Sequence, residues 1–416
     1  MDKMIVSGGK VLNGEVHASG AKNSALKLLF STILADGTHR FENLPDLKDI
    51  ESTSQLLASL GIHSERKGKD FLVYSQHLKN LEASYDLVRK MRASILCLGP
   101  MLTRYGEAVV SLPGGCAIGS RPIDLHIEGM KALGAEIELR EGYVHAKAKK
   151  LKGTTFLFEN MTVGGTENVM MAATLAEGTT LLENAAKEPE IVDLAEYLNK
   201  MGARISGHGT SIIKIEGVEK LSAAEHRIMP DRIEAGTLLL AGAITAGEVT
   251  VRSCVPHHFE ALIFKLKDAG FKLITTDDTV TIHPLKDFKA VDISTAPYPQ
   301  FPTDLQAQFM SLMSIASGTS VITETVFENR FMHVQELMRL GADITQKTRV
   351  AVVRGKAEGL TGAPVMATDL RASACLVLAG LVAKGDTTIN RIYHLDRGYE
   401  KMEAKLSSLG ANIKRV

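Results

Sequence analysis

The chain has 416 residues, in which 48 lysines and arginines balance 48 aspartates and glutamates, so there is no net field to recruit nucleic acid or an anionic membrane surface, and any anion site must be local. The longest apolar run, Ala374 to Ala383, is 10 residues, well short of the ~20 that a bilayer span requires. Residues 1–10 hold no signal-peptide core, and the scattered cysteines Cys97, Cys116, Cys254 and Cys375, with no CxxC pair, suit a reducing cytoplasm.

In chain order, Ile5 to His17 reads as an N-terminal strand. Ala25 to Leu34 is a helix apolar almost all round, which has to be buried on every side. Gly37 follows, then a strand, then an amphipathic helix with Ile50, Leu57 and Leu60 on one stripe, ended by Gly61. Two alternating strands complete the unit. Buried helices recur at Val169 to Ala176, Leu305 to Ala316 and Ala372 to Ala383. A second amphipathic stripe is Val334, Leu337 and Met338, and further alternating strands are Glu136 to Arg140 and Thr279 to His283. The glycines ending the amphipathic helices, Gly61, Gly134, Gly202, Gly270, Gly341 and Gly410, lie 73, 68, 68, 71 and 69 residues apart. A second set, Gly37, Gly106, Gly178, Gly247, Gly318 and Gly385, is spaced by 69, 72, 69, 71 and 67. Two registers that agree define a sixfold repeat of about 70 residues, each unit reading helix, strand, helix, strand, strand.

A chain of this length exceeds one core of ordinary size. The expected fold is therefore α/β, a two-domain inside-out α/β barrel with three repeats per domain, buried helices inside and sheets outside. The chain is expected to cross near Gly20 to Lys22 and near Met229 to Asp231. That makes 22–229 the first domain and 1–21 plus 230–416 the second, the strand Ile5 to His17 completing the second domain's last repeat.

The predicted buried helices open on Lys22-Asn23-Ser24, Arg92-Ala93-Ser94, Thr166-Glu167-Asn168, Asp231-Arg232-Ile233, Thr303-Asp304-Leu305 and Arg371-Ala372-Ser373. Parallel helices would present their positive ends and free N–H groups together, as an anion site. Cations at those ends oppose the dipole unless an anionic ligand compensates them; the plainer alternative is a set of capping residues with solvated bases nearby. One segment breaks the repeat. Pro113-Gly-Gly-Cys-Ala-Ile-Gly-Ser-Arg-Pro122 reads as a mobile lid, and Cys116, five residues before Arg121, is a candidate reactive thiol because a nearby cation lowers a thiol's pKa.

That loop, extended to His126, together with Ser19-Gly-Ala-Lys-Asn23, Pro230-Asp-Arg-Ile-Glu234, Phe301-Pro-Thr-Asp304, Thr323 to His333, Ala367 to Ser373 and Asp396-Arg-Gly-Tyr399, resembles the UDP-N-acetylglucosamine 1-carboxyvinyltransferases. The resemblance runs from end to end. The related 5-enolpyruvylshikimate-3-phosphate synthases share the two-domain architecture but lack the cysteine loop, so the loop decides between the two families. The resemblance implies transfer of enolpyruvyl from phosphoenolpyruvate to the 3-hydroxyl of UDP-N-acetylglucosamine, with release of phosphate, as the first committed step of peptidoglycan synthesis. It implies no metal and no redox cofactor. It further implies that Cys116 is the acid, with a covalent adduct to phosphoenolpyruvate as a side branch, and that Asp304 is the general base. Asp304 can also be read as a helix N-cap, or as both. Lys22, Arg121 and Arg397 are implied as the cations around phosphoenolpyruvate. Asn23, Arg92, Arg121, Pro122, Ile123, Asp124, Leu125, Thr162, Val163, Gly164 and Val326 match the positions for the sugar nucleotide, and Arg371 matches a further motif position with no assigned contact. Asn160 departs from the pattern, standing where relatives often carry a base near the diphosphate, which leaves backbone N–H groups of Thr162 to Gly164 for that task.

Two rival readings use other features. A non-catalytic sugar-nucleotide binder would have little reason to keep Cys116, Asp304, Lys22 and Arg397 together. A metal enzyme would have to use Cys254, His257 and His258, three ligands where structural zinc usually takes four. The leading reading predicts an active site in an interdomain cleft that closes on anionic substrates, and a Cys116 that an epoxide phosphonate such as fosfomycin alkylates while Cys97 and Cys375 stay inert.

Overall fold

The computed structural model describes residues 2–76, 78–89, 91–112, 123–356 and 358–416. These fall into two compact units, residues 2–19 with 230–416, and residues 20–112 with 123–229. Each unit has its own apolar core. Cys116, Arg121 and Pro122 lie outside the described residues.

Six four-stranded sheets are present among the described residues, three in each unit. All six follow one pattern, in which three strands pair antiparallel and a fourth joins one edge in parallel. In one of them Thr319–Thr323 pairs antiparallel with Val350–Arg354, which pairs antiparallel with Asp343–Lys347, while Ile293–Ser294 adds in parallel to Thr319–Thr323. Period-two patterning explains the inner strands: in Val350–Arg354, Ala351 and Val353 are fully buried and alternate with half-buried or exposed neighbours. The edge strand Glu136–Arg140 alternates equally well in sequence, yet Leu139 is exposed. Alternation alone does not say whether anything covers the apolar face.

The helices that lack a polar face are buried as their composition demands. In Leu370–Val382, every residue from Ala374 to Ala379 is fully shielded, and Arg232–Ile244 and Val163–Ala173 are similarly enclosed. The amphipathic helix Lys48–Leu60 buries Ile50, Leu57 and Leu60 as expected. His333–Arg339 differs from expectation, because it buries His333, Val334 and Leu337 while Met338 is exposed.

All six glycines that follow the amphipathic helices have positive φ, from 91 to 109°. Five of the second set do as well, but Gly247 does not. There Ala246 takes the left-handed turn at φ 51°, and Gly247 is needed for a different reason, since a Cβ would sit 1.8 Å from the Leu12 carbonyl oxygen.

The N-terminal segment corrects the single strand expected over Ile5 to His17. It forms two strands in two sheets. Met4–Ser7 lies between Asp386–Asn390 and Asn412–Arg415, whereas Gly14–His17 adds in parallel to Val249–Arg252. Gly8 and Gly9 sit between them, and Gly8 has a carbonyl oxygen only 2.0 Å from where a Cβ would be, which favours a break over a continuous strand.

A buried carboxylate, Glu167, sits in Val163–Ala173 with both oxygens lacking a hydrogen bond and with Lys27 Nζ 3.3 Å from Oε1. Burial is the main cause that pushes its pKa up to about 7, against the pull of Lys27, with Glu190 and Glu188 adding to the rise. A carboxyl whose folded pKa is raised stabilises fully below its unfolded value near 4.5 and loses that stability as pH rises towards about 7. Urea midpoints of the native protein and Glu167→Gln should therefore diverge between pH 4.5 and 8. The native protein should lose on the order of 3 kcal/mol relative to the variant over that range, and parallel pH profiles would contradict this account.

Candidate active site

Within the unit of residues 20–229, the predicted substrate residues sit at helix starts. Lys22 opens the helix Lys22–Ser31, where its Nζ lies 2.7 Å from Asp49 Oδ2, and Asn23 is half-buried beside it. Ser24 donates to Asp193, whose other oxygen is 2.9 Å from His226 Nε2. Lys200 Nζ, 3.0 Å from His226 Nδ1, can only donate, so the imidazole accepts at Nδ1 and donates from Nε2 to Asp193. A chain of polar contacts thus holds the first turn that carries Lys22 and Asn23.

Arg92 opens a 3-10 turn, Arg92–Cys97, rather than the α-helix expected there; the helix proper is Leu98–Tyr105. The third predicted start also moves. The helix begins at Val163, capped by the Thr162 hydroxyl accepting from Gly165 N at 3.2 Å, so that Thr166 lies a turn inside. Val163 and Gly164 occupy a first turn, where N–H groups have no helical partner and can face an anion. Ile123 is buried just before the helix Asp124–Ala132, which starts on an exposed Asp124 and a half-buried Leu125, and Asn160 is exposed.

Asn168 draws these three starts together, a role not evident in sequence. Its Nδ2 donates to Ile95 O at 3.1 Å and lies 3.0 Å from His126 Nδ1, and its Oδ1 accepts from Gly99 N at 2.8 Å. One fully buried amide therefore joins the Arg92 turn, the Asp124 helix and the Val163 helix. His126 has its pKa lowered to about 4 by burial and then by Arg92, so it is a neutral acceptor here. The same ring closes on Gly164, where a Cβ would lie 3.2 Å from it.

In the other unit, Asp304 is in the 3-10 turn Thr303–Leu305, and its carboxylate does not cap a helix. It is clamped by two arginines, with Arg330 Nη2 2.8 Å from Oδ1 and Arg371 Nη2 2.7 Å from Oδ2. Burial opposes ionisation, but Arg371 and Arg330 outweigh it and hold the carboxyl well below the ordinary range. Arg371 is the second residue of Leu370–Val382, whose N-cap is Asp369, accepting from Arg371 N and Ala372 N. Burial works against the charge of Arg371 as well, yet Asp304, Tyr399 and Asp231 raise its pKa.

Glu324 places the Asp304 turn against the Val326 loop. It is fully buried and accepts from Thr295 Oγ1 and Val326 N at 2.8 Å, from Phe327 N at 3.1 Å, and, on its other oxygen, from Thr303 Oγ1 at 2.8 Å. Arg397 ends the 3-10 turn Ile392–Arg397, which packs on the Leu370–Val382 helix. Arg415 binds the neighbouring Asp396 with both guanidinium nitrogens, at 2.6 and 3.0 Å, and so fixes that turn. Asp231 caps Arg232–Ile244, accepting from Ile233 N and Glu234 N.

The three described cysteines are buried. Burial pushes Cys97 and Cys375 up to about 12 and Cys254 up to about 11, which leaves them as thiols. Cys254 donates to the carbonyls of Val251 and Asp278, and His257 pairs with Glu260 at 3.2 Å. Among the described residues, no group of three or more His, Cys, Asp or Glu side chains could hold a metal ion. None of the helices among them is long and apolar enough to cross a membrane.

Known proteins share the sequence and the fold. The family model described as EPSP synthase (3-phosphoshikimate 1-carboxyvinyltransferase) matches residues 6–406. The UDP-N-acetylglucosamine 1-carboxyvinyltransferase of Bdellovibrio bacteriovorus is 72% identical over 99% of this chain and 100% of its own, and that of Geobacter metallireducens is 57% identical over the whole of both. Among solved structures, the enolpyruvyl transferase NikO from Streptomyces tendae superimposes with a TM-score of 0.89 at 26% identity, over 100% of this chain and 99% of its own. An EPSP synthase from Acinetobacter baumannii, at 18% identity and a TM-score of 0.77 over the full length of both chains, shares the fold. The chain belongs to the EPSP synthase family of enolpyruvyl transferases and, within it, to the UDP-N-acetylglucosamine 1-carboxyvinyltransferases.

Proposed function

We propose that the chain transfers the enolpyruvyl group of phosphoenolpyruvate to the 3-hydroxyl of UDP-N-acetylglucosamine and releases inorganic phosphate. The observation that carries this reading is end-to-end identity of 72% to a relative bearing that name. The reaction adds a proton to the methylene carbon and the sugar oxygen to the adjacent carbon, giving a tetrahedral intermediate; loss of phosphate and of a methyl proton restores the double bond. In this reading Cys116 supplies the first proton, and Lys22, Arg121 and Arg397 bind the phosphate and carboxylate as charge develops. Asn23, Arg92, Arg121 to Leu125, Thr162 to Gly164 and Val326 hold the sugar nucleotide.

Asp304 takes the hydroxyl proton. A carboxylate held so far below its usual range is a weak base, but the hydroxyl becomes strongly acidic as its oxygen bonds to carbon. A permanently ionised acceptor then suffices, and the flanking arginines guarantee that state.

The same reading takes the six sheets as six copies of one repeat, three per unit, in an inside-out arrangement, with 22–229 and 1–21 plus 230–416 as the domains. Residues of both domains act on the substrates. It also places the protein in the cytoplasm, at the first committed step of peptidoglycan synthesis, without a metal or redox cofactor.

Incubation with phosphoenolpyruvate and UDP-N-acetylglucosamine should release phosphate only when both are present; no release would remove the reading. Cys116→Asp should keep turnover and lose covalent labelling by fosfomycin, whereas Cys116→Ser should lose most turnover. Peptide mapping by mass spectrometry checks the labelled position, and a label on Cys97, Cys254 or Cys375 instead would sink the assignment. For Asp304→Asn, kcat should fall by about 10²- to 10⁴-fold, and stopped-flow phosphate detection that showed near-native turnover would exclude Asp304 as base.

A further inference from the structure

Behind Asp304 lies a buried polar chain that the reaction scheme leaves unused. Arg371 Nη1 is 3.3 Å from the Tyr399 hydroxyl, and its guanidinium carbon lies 5.6 Å from the centre of the Tyr399 ring. That hydroxyl is 3.0 Å from Thr237 Oγ1, which is 2.8 Å from the carbonyl of Ile233. Gln308 Nε2 lies 3.0 Å from the Tyr399 hydroxyl, 3.2 Å from Thr237 Oγ1 and 2.9 Å from the carbonyl oxygen of Asp304 itself. Thr237 and Gln308 are fully buried, Tyr399 is 2% exposed, and Arg371 is 5% exposed.

The ends of this chain constrain the proton directions within it. Arg371 and the Gln308 amide nitrogen only donate, and the Ile233 carbonyl only accepts. Thr237 therefore gives its proton to Ile233 and accepts from Tyr399, whose oxygen accepts from both Arg371 and Gln308. The guanidinium is tied, through two hydroxyls, to the backbone of the helix Arg232–Ile244. The same Gln308 amide also holds the main chain at Asp304, so the carboxylate and its arginine are registered against one anchor.

We propose that Tyr399, backed by Thr237 and Gln308, is a positioning residue that sets the basicity of Asp304 by fixing the Arg371 guanidinium against it. This rests on Asp304 being the base. The charged and titratable groups around the pair are Arg330 and Arg371 on the carboxylate, Asp231 and Tyr399 beside Arg371, and Asp369 and His333 beyond them. Burial, outweighing Asp369, lowers His333 to about 4, so it titrates in the same acid range as a raised Asp304 and only an aspartate-specific signal separates the two.

Tyr399→Phe keeps the ring under the guanidinium and removes only the acceptor. Arg371 Nη1 is then left buried without a partner, and the Arg371 contact to Asp304 loosens. A carboxylate that loses part of an opposite charge titrates higher, so the acid limb of kcat should move up by about one pH unit, with KM for both substrates nearly unchanged. Thr237→Val removes the acceptor of the Tyr399 proton and should shift the limb in the same direction by less. Carbon-13 spectra of protein labelled at aspartate Cγ, with Asp304 assigned through Asp304→Asn, read the same titration without turnover. An Asp304 titration that stays where it is in both variants overturns the proposal, as does an even fall in kcat at all pH values. A moved titration with an unmoved rate profile upholds the positioning and removes Asp304 as the base.

Discussion

Two guanidinium groups, each almost entirely shielded from solvent, share a single carboxylate in the clamp formed by Arg330, Asp304 and Arg371. Removing two cations from water is costly, and one aspartate neutralises only half their charge. The surplus is tolerated because the surroundings supply other acceptors: the Tyr399 hydroxyl for one arginine and the Phe327 ring, 5.3 Å from the guanidinium, for the other. The paired arginines keep Asp304 ionised, and Asp231 offsets part of the charge on Arg371. The 3-10 turn at Thr303, the Glu324 hub and the packing of the Ile392–Arg397 turn all serve to keep that cluster assembled.

The other unit meets its local charges differently. Lys22 has Asp49, Ser24 has Asp193, and the amide of Asn168 satisfies a carbonyl, a backbone N–H and an imidazole at once. Here helix starts are joined by neutral or matched contacts, and the first turns at Lys22 and Val163 remain oriented by them. Preorganisation of this sort lowers what substrate binding must spend on ordering the protein.

Local geometry was largely legible in the chain itself. Glycine registers marked left-handed turns because no other residue adopts them without strain, and apolar composition marked helices with no exposed face. Most helix starts were legible to within a turn, at Lys22 and Asp231 most closely, but the helix expected at Arg92 begins at Leu98. What escaped was set by tertiary pairing. Arg330 stood within the Thr323 to His333 motif without a role, and Asp304 could equally have been a cap, because only the fold shows that two distant arginines claim both of its oxygens. Asn168, Glu324, Gln308 and Tyr399 likewise have partners 2 to 162 residues away, and no periodicity encodes the distant ones. Gly8 and Gly9 did carry a signal, since a pair of glycines inside a supposed strand argues for two strands.

The placement of Met4–Ser7 bears on how the protein is made. This strand is an interior member of its sheet, hydrogen-bonded on one side to Asp386–Asn390 and on the other to Asn412–Arg415. Met4–Ser7 thus waits for partners synthesised some 380 residues later, whereas everything needed for the unit of residues 20–229 has emerged once Met229 is out. The inner stretch of the chain can fold while synthesis continues, and the unit that surrounds it in sequence is completed only afterwards, with an unpaired apolar strand held in reserve throughout.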